Sequence, residues 1–209
     1  MTSETAEYKT GPNRFDASEK ELAAYFVAEE SGIYTLGLTL EKGSYVYVET
    51  ESGNEYWLYN SSTQSYALGQ GERLDFTLIT GGKGTLTITK ESSLVELKEG
   101  KETRIPKGTT YIRFESDDCE YQITFSDTVS RFRIYNGSGI NSDYTPYTSV
   151  KEMISYLGNE DSSVVYFMVE TDKPVTLKVE KLHYDEQSLW DNVSWELNKG
   201  DVRIIRLYD

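Results

Sequence analysis

The stretch ELAAYFVAEESGIYTLGLTL, residues 21–40, is echoed near the other end of the chain by SSVVYFMVETDKPVTLKVEK, residues 162–181. Setting Tyr25 on Tyr166 aligns Phe26 with Phe167, Glu29 with Glu170, and Thr35-Leu36 with Thr176-Leu177, without a gap. Each copy reads as two short strands around a polar turn, a hairpin. Within the first, Tyr34, Leu36, Leu38 and Leu40 fall on one face and Ile33, Thr35, Gly37 and Thr39 on the other. That period of two belongs to a half-buried β-strand, not to a helix. A second echo links EKGSYVYVETES (41–52) with PKGTTYIRFESD (106–117). Duplication and shared strand composition both produce such matches; either way the chain reads as β.

The same alternation runs outward from these segments. SYVYVET, EYWLYN and RLDFTLIT follow one another across turn residues, and GTLTITK follows Gly81-Gly82-Lys83-Gly84 as the second arm of a tight hairpin. SLVELKEG, TYIRFES, CEYQITFSD and SRFRIYNG continue the pattern, and NVSWELN and DVRIIRLY close it. One segment departs. In SVKEMISYLGNE, Ser149 and Glu152 fit a capping box, Val150, Met153, Ile154 and Leu157 share a helical face, and Gly158 supplies a stop. The spacing predicts a short helix over 149–157. The expected architecture is all-β: two tandem antiparallel β-sandwich, jelly-roll-like domains, with that helix in the second. The expected divisions are an N-terminal arm (1–20), a first sandwich (21–90) and a second (91–209). Lys90-Glu91-Ser92 offers no flexible linker, so the halves are expected to pack closely.

Composition excludes several functions. With 21 basic against 35 acidic residues, a formal charge of −14, the surface repels phosphate backbones and anionic membranes. Neither nucleic acid nor a membrane is expected as a partner. The opening MTSETAEYKTGPNRFDASEKE has no basic segment followed by an apolar one, so no secretory signal is read. The chain is expected in the cytoplasm, or in a virion or similar particle assembled there, and outside the cell only on a particle surface. Cys119 is the single cysteine, so disulfides do not hold the fold. His183 is the single histidine, and no G-x-S-x-G elbow or phosphate loop accompanies it. The chain reads as not an enzyme.

Two clusters carry the candidate chemistry. Seventeen tyrosines and three tryptophans are the compositional outlier, suited to strand faces and to contact surfaces alike. Tyr45 and Tyr47 share one strand face, and Trp57 and Tyr59 share another. They suit a platform for a glycan or protein partner, and equally the core of a tyrosine-rich sandwich. Tyr144, Tyr147 and Trp190 form a second contact set. In FESDDCE, Glu115, Asp117, Asp118 and Glu120 crowd a turn, an arrangement that suits calcium or simply a solvated, charge-protected edge. No other cofactor is expected.

Tyr25-Phe26, Gly32, Tyr34-Thr35-Leu36, and then Gly43, Tyr45 and Val48, resemble a motif of the small β-sandwich modules appended to bacterial secreted peptidases, the pre-peptidase C-terminal-like domains. The resemblance covers about a third of the chain and implies a β-sandwich that accompanies other machinery. Two function classes follow from the residues. One is a non-enzymatic structural or assembly subunit of a phage or viral virion or similar particle, as a decoration, fibre or adaptor protein, self-associating or docking protein partners. The other is a carbohydrate-binding or adhesive β-sandwich module, assisted by calcium if the 115–120 turn holds it.

Overall fold

The computed structural model describes residues 5–18, 21–41, 45–50, 55–78, 82–136, 139–140, 146–158 and 163–182. They form sixteen strands: β1 (Ala6–Tyr8), β2 (Gly11–Asp16), β3 (Leu22–Val27), β4 (Gly32–Leu40), β5 (Tyr45–Thr50), β6 (Glu55–Tyr59), β7 (Thr63–Leu68), β8 (Arg73–Leu78), β9 (Lys83–Leu97), β10 (Thr103–Ile105), β11 (Gly108–Glu115), β12 (Cys119–Asn136), β13 (Gly139–Ile140), β14 (Tyr147–Leu157), β15 (Val164–Thr171) and β16 (Val175–Lys181). A five-stranded sheet has the order β1-β3-β8-β5-β6. An eleven-stranded sheet runs β10-β16-β12-β15-β11-β9-β4-β7-β13, with β14 added on β12 and β2 on β9. Pairs β1·β3 and β9·β11 are parallel.

Period-two patterning builds the core directly. Tyr34, Leu36, Leu38 and Leu40 of β4 are buried, and so are Leu86 and Ile88 of β9. They meet Phe26, Val46, Val48, Leu74 and Phe76 of the five-stranded sheet in one cluster, so the small sheet stacks on that end of the large one. A second core forms where the large sheet folds on itself. Residues 121–125 of β12 pair with β16, whereas 131–136 pair with β15. The bend between them turns two wings of one sheet face to face over Ile123, Phe125, Phe132, Phe167 and Leu177.

The two ends are joined in three ways. β9 runs unbroken through residues 90–92, pairing β4 with its first part and β11 with its last. β15 is buried on both faces: Val165, Phe167 and Val169 enter the second core, while Tyr166 and Met168 pack with Ile33 and Ala67 of the first end. A strand buried on both faces is expected to read as a continuous apolar run, as VVYFMV does. Across the same seam Arg113 pairs with Glu72 at 3.3 Å, and the Tyr166 hydroxyl donates to Glu72 at 2.9 Å.

The structure corrects the expected architecture. Two sheets of mixed parallel and antiparallel pairing, one spanning both halves, replace two tandem antiparallel sandwiches, and the described residues contain no helix. The segment 149–157 lies in strand β14, paired with β12 from Tyr147 to Leu157. Ser149 has φ 56°, in the left-handed region, which an N-cap does not adopt. The pairing register shifts between Thr124 and Val129, so Val150 and Met153 reach the same core from either side of an irregularity. That irregularity mimics helical spacing. The echoed segments are not hairpins either. β3 and β4 lie in different sheets, and β15 and β16 pair with separate parts of β12. Both are arches between facing layers, with Phe26 and Phe167 alike buried beneath them. β8 and β9, expected as the arms of a tight hairpin, also lie in different sheets.

Candidate functional site

The outer face of the five-stranded sheet gathers the first aromatic set. Alternation sends Val46, Val48 and Leu58 into the core, which leaves Tyr45, Tyr47, Trp57 and Tyr59 pointing away from it. The β5·β6 register then places Tyr45 opposite Tyr59 and Tyr47 opposite Trp57. Directly opposed residues share a face, so the two pairs expected on separate faces stand together on one. The Trp57 ring meets Tyr45 edge-on at 4.7 Å and Tyr47 at 5.1 Å, and Tyr45 meets Tyr59 at 6.3 Å. Trp57 and Tyr59 keep 51% and 56% of their surface exposed. β6 ends the sheet, so the cluster sits at an edge.

A row of carboxylates adjoins the aromatic row. Glu55 lies opposite Glu49, and Glu49 opposite Asp75 of β8. Asp75 is paired with Arg73, whose guanidinium also lies 4.2 Å over the Tyr25 ring. Tyr47 links the rows: its hydroxyl is hydrogen-bonded to the Glu55 carboxylate, which, with some desolvation, pushes the phenol up to about 12. The surface therefore combines apolar ring faces with acceptors that a hydroxyl- or amine-bearing ligand requires.

The other expected sites fare differently. Tyr147 is half exposed on β14, with its ring 6.5 Å from Phe132. Tyr144, Trp190 and His183 lie outside the described residues. The four carboxylates of the 115–120 turn are not brought together. Glu115 accepts from Arg113 at 2.8 Å and Asp117 from Lys181 at 3.0 Å, while the Asp118 carbonyl accepts the Tyr156 hydroxyl at 2.9 Å. Among the described residues no group of three or more His, Cys, Asp or Glu side chains is arranged to hold a metal ion.

Sequence reasoning missed two features. One is the cleft of about 360 Å³ beside Glu96, Lys98, Glu99 and Glu115, whose wall includes Arg113. Arg113 is tied to Glu72, Glu96 and Glu115, so its charge is consumed within the fold. The other is the exposed pair Ile154 and Tyr156 on β14, hidden by the helical reading of that segment. No helix among the described residues is long and apolar enough to cross a membrane.

No protein-family model matches the sequence, and no curated protein matches it. Among solved structures the chain is similar to the CUB1-EGF-CUB2 domains of rat MASP-1, at 9% identity over 83% of this chain and 99% of that one, with a TM-score of 0.28. It is also similar to YhaK from Escherichia coli (10% identity, 81% and 82% coverage, TM-score 0.26) and to Lac15 from a marine microbial metagenome (11%, 87% and 55%, 0.27). At these scores the likenesses decide neither topology nor function.

Proposed function

We propose that this chain is a carbohydrate-binding module whose contact surface is the outer face of the five-stranded sheet. The observation that carries this is the convergence of Tyr45, Tyr47, Trp57 and Tyr59 on one exposed face. Aromatic side chains left half exposed in mutual contact offer apolar faces to the C–H faces of a pyranose, and Glu49 and Glu55 accept its hydroxyl protons. The 115–120 turn is on other strands, so binding here is expected to be indifferent to calcium.

The test is calorimetric titration of the full chain with a panel of oligosaccharides, with and without calcium. Saturable binding is expected to at least one sugar, lost in Trp57→Ala while the unfolding temperature stays close to that of the parent. Absence of binding to every oligosaccharide at millimolar concentration overturns the reading.

A second reading, an assembly subunit of a virion or similar particle, is favoured by β14. This eleven-residue strand pairs only with β12 among the described residues and exposes Ile154 and Tyr156. Long apolar edge strands are templates for pairing with another chain. Light scattering after size exclusion tests it: a defined oligomer is expected, and a 23.8 kDa monomer at every concentration refutes it.

A further inference from the structure

The carboxylates beside the aromatic rings narrow the class of sugar, given the carbohydrate reading above. Glu49 and Glu55 are directly opposed across β5·β6, with Asp75 continuing the row on β8. Like charges directly opposite one another destabilise a sheet. Asp75 is compensated by Arg73, but Glu49 and Glu55 enter no ion pair among the described residues, and both are exposed. The aromatic row lies two residues along the strands, about 7 Å away. A ring resting on Trp57 therefore carries its substituents over this pair. A neutral sugar leaves the repulsion in place; a cationic substituent relieves it, and the aromatic faces add their own attraction for a cation.

We propose that the glycan recognised here carries free primary amines, as in a polymer of de-N-acetylated hexosamine, with its ammonium groups set against Glu49 and Glu55. The charge of the whole chain, −14, draws such a polymer in. Binding is accordingly salt-sensitive, because the charges involved are exposed.

The experiment is a titration of the full chain with two probes, a glucosamine hexamer and an N-acetylglucosamine hexamer, below the pKa of the amine and at low and high salt. The amine-bearing hexamer is expected to bind about tenfold tighter, the size of one exposed charge interaction. That preference is expected to vanish in the double variant Glu49→Gln, Glu55→Gln and to shrink at high salt. The same variant relieves the opposed charges, so its unfolding temperature in the absence of sugar should not fall. Equal affinity for the two hexamers overturns this inference and leaves the carbohydrate reading standing. If neither hexamer binds, this inference falls, and the carbohydrate reading falls with it only when the whole oligosaccharide panel is negative as well. Binding of a lysine-rich peptide at the same residues, with no sugar binding, also overturns it and assigns the face to a basic protein partner.

Discussion

Replacing Phe167 by alanine tests how the second core is closed. Phe167 is fully buried, with ring centroids 5.4 Å from Phe132 and 6.1 Å from Phe114. A buried aromatic removes about 150 Å² or more from water, which at about 25 cal/mol per Å² is about 4 kcal/mol. Mutational series for buried Phe→Ala give a similar range, about 3–5 kcal/mol, because the cavity only partly collapses. For a chain of this size that corresponds to a fall of roughly 8–16 °C in unfolding temperature. The assay is urea unfolding followed by circular dichroism, with calorimetry as the second probe. Tyr166→Phe, one residue away on the opposite face, is the comparison. It removes only the hydroxyl that donates to Glu72 at 2.9 Å, for an expected loss of about 1.5–3 kcal/mol. Adding Glu72→Gln to Tyr166→Phe should give a coupling of about 1 kcal/mol in a double-mutant cycle. A loss below about 1.5 kcal/mol for Phe167→Ala would refute the two-faced burial of β15, since only an unpacked ring is that dispensable.

Two further tests probe buried hydroxyls. Tyr66 is fully buried, and its hydroxyl has no hydrogen-bond partner among the described residues, so Tyr66→Phe should leave stability unchanged or raise it by about 1 kcal/mol in urea unfolding. A marked loss would show that the hydroxyl is satisfied. Burial raises the phenols of Tyr66 and Tyr166, the latter also through the neighbouring Glu72 charge. Both should stay protonated when exposed tyrosines ionise near about pH 10. In the unfolded chain the same phenols ionise near about pH 10, so the folded state binds more protons above that point and stability falls as pH rises. Titration of the phenolate absorbance checks this: a full-amplitude transition near about pH 10 in the folded protein would refute it.

The sequence made the strand faces legible where one side of a strand is dry. Val46 and Val48 against Tyr45 and Tyr47 is a pattern of two, and a pattern of two survives any choice of partner strand. It could not say which strands meet. Whether Trp57 stands beside Tyr47 depends on register, and register is set by pairings that the chain specifies only through the packed whole. The carboxylate row was invisible for the same reason: Glu49, Glu55 and Asp75 are ordinary surface acids until three strands align them. The arches failed for a related cause. A polar turn between two apolar strands is written alike whether the strands pair or face each other, so β3 and β4 read as a hairpin although they lie in different sheets.

The false helix is the informative failure, because it yields its own discriminating substitution. Val150, Met153, Ile154 and Leu157 carry helical spacing, yet Ser149 sits at φ 56°, where a side chain costs about 1–2 kcal/mol and glycine costs nothing. If Ser149 capped a helix, Ser149→Gly would forfeit the cap and lose a few tenths of a kcal/mol. At a left-handed position in a strand the same change removes the strain, and even after the greater freedom of glycine in the unfolded chain it should gain up to about 1 kcal/mol. The two readings thus predict opposite signs for one substitution in urea unfolding. A gain fixes 149–157 as the irregular edge strand that leaves Ile154 and Tyr156 exposed, and a loss returns the segment to the helix its spacing suggests.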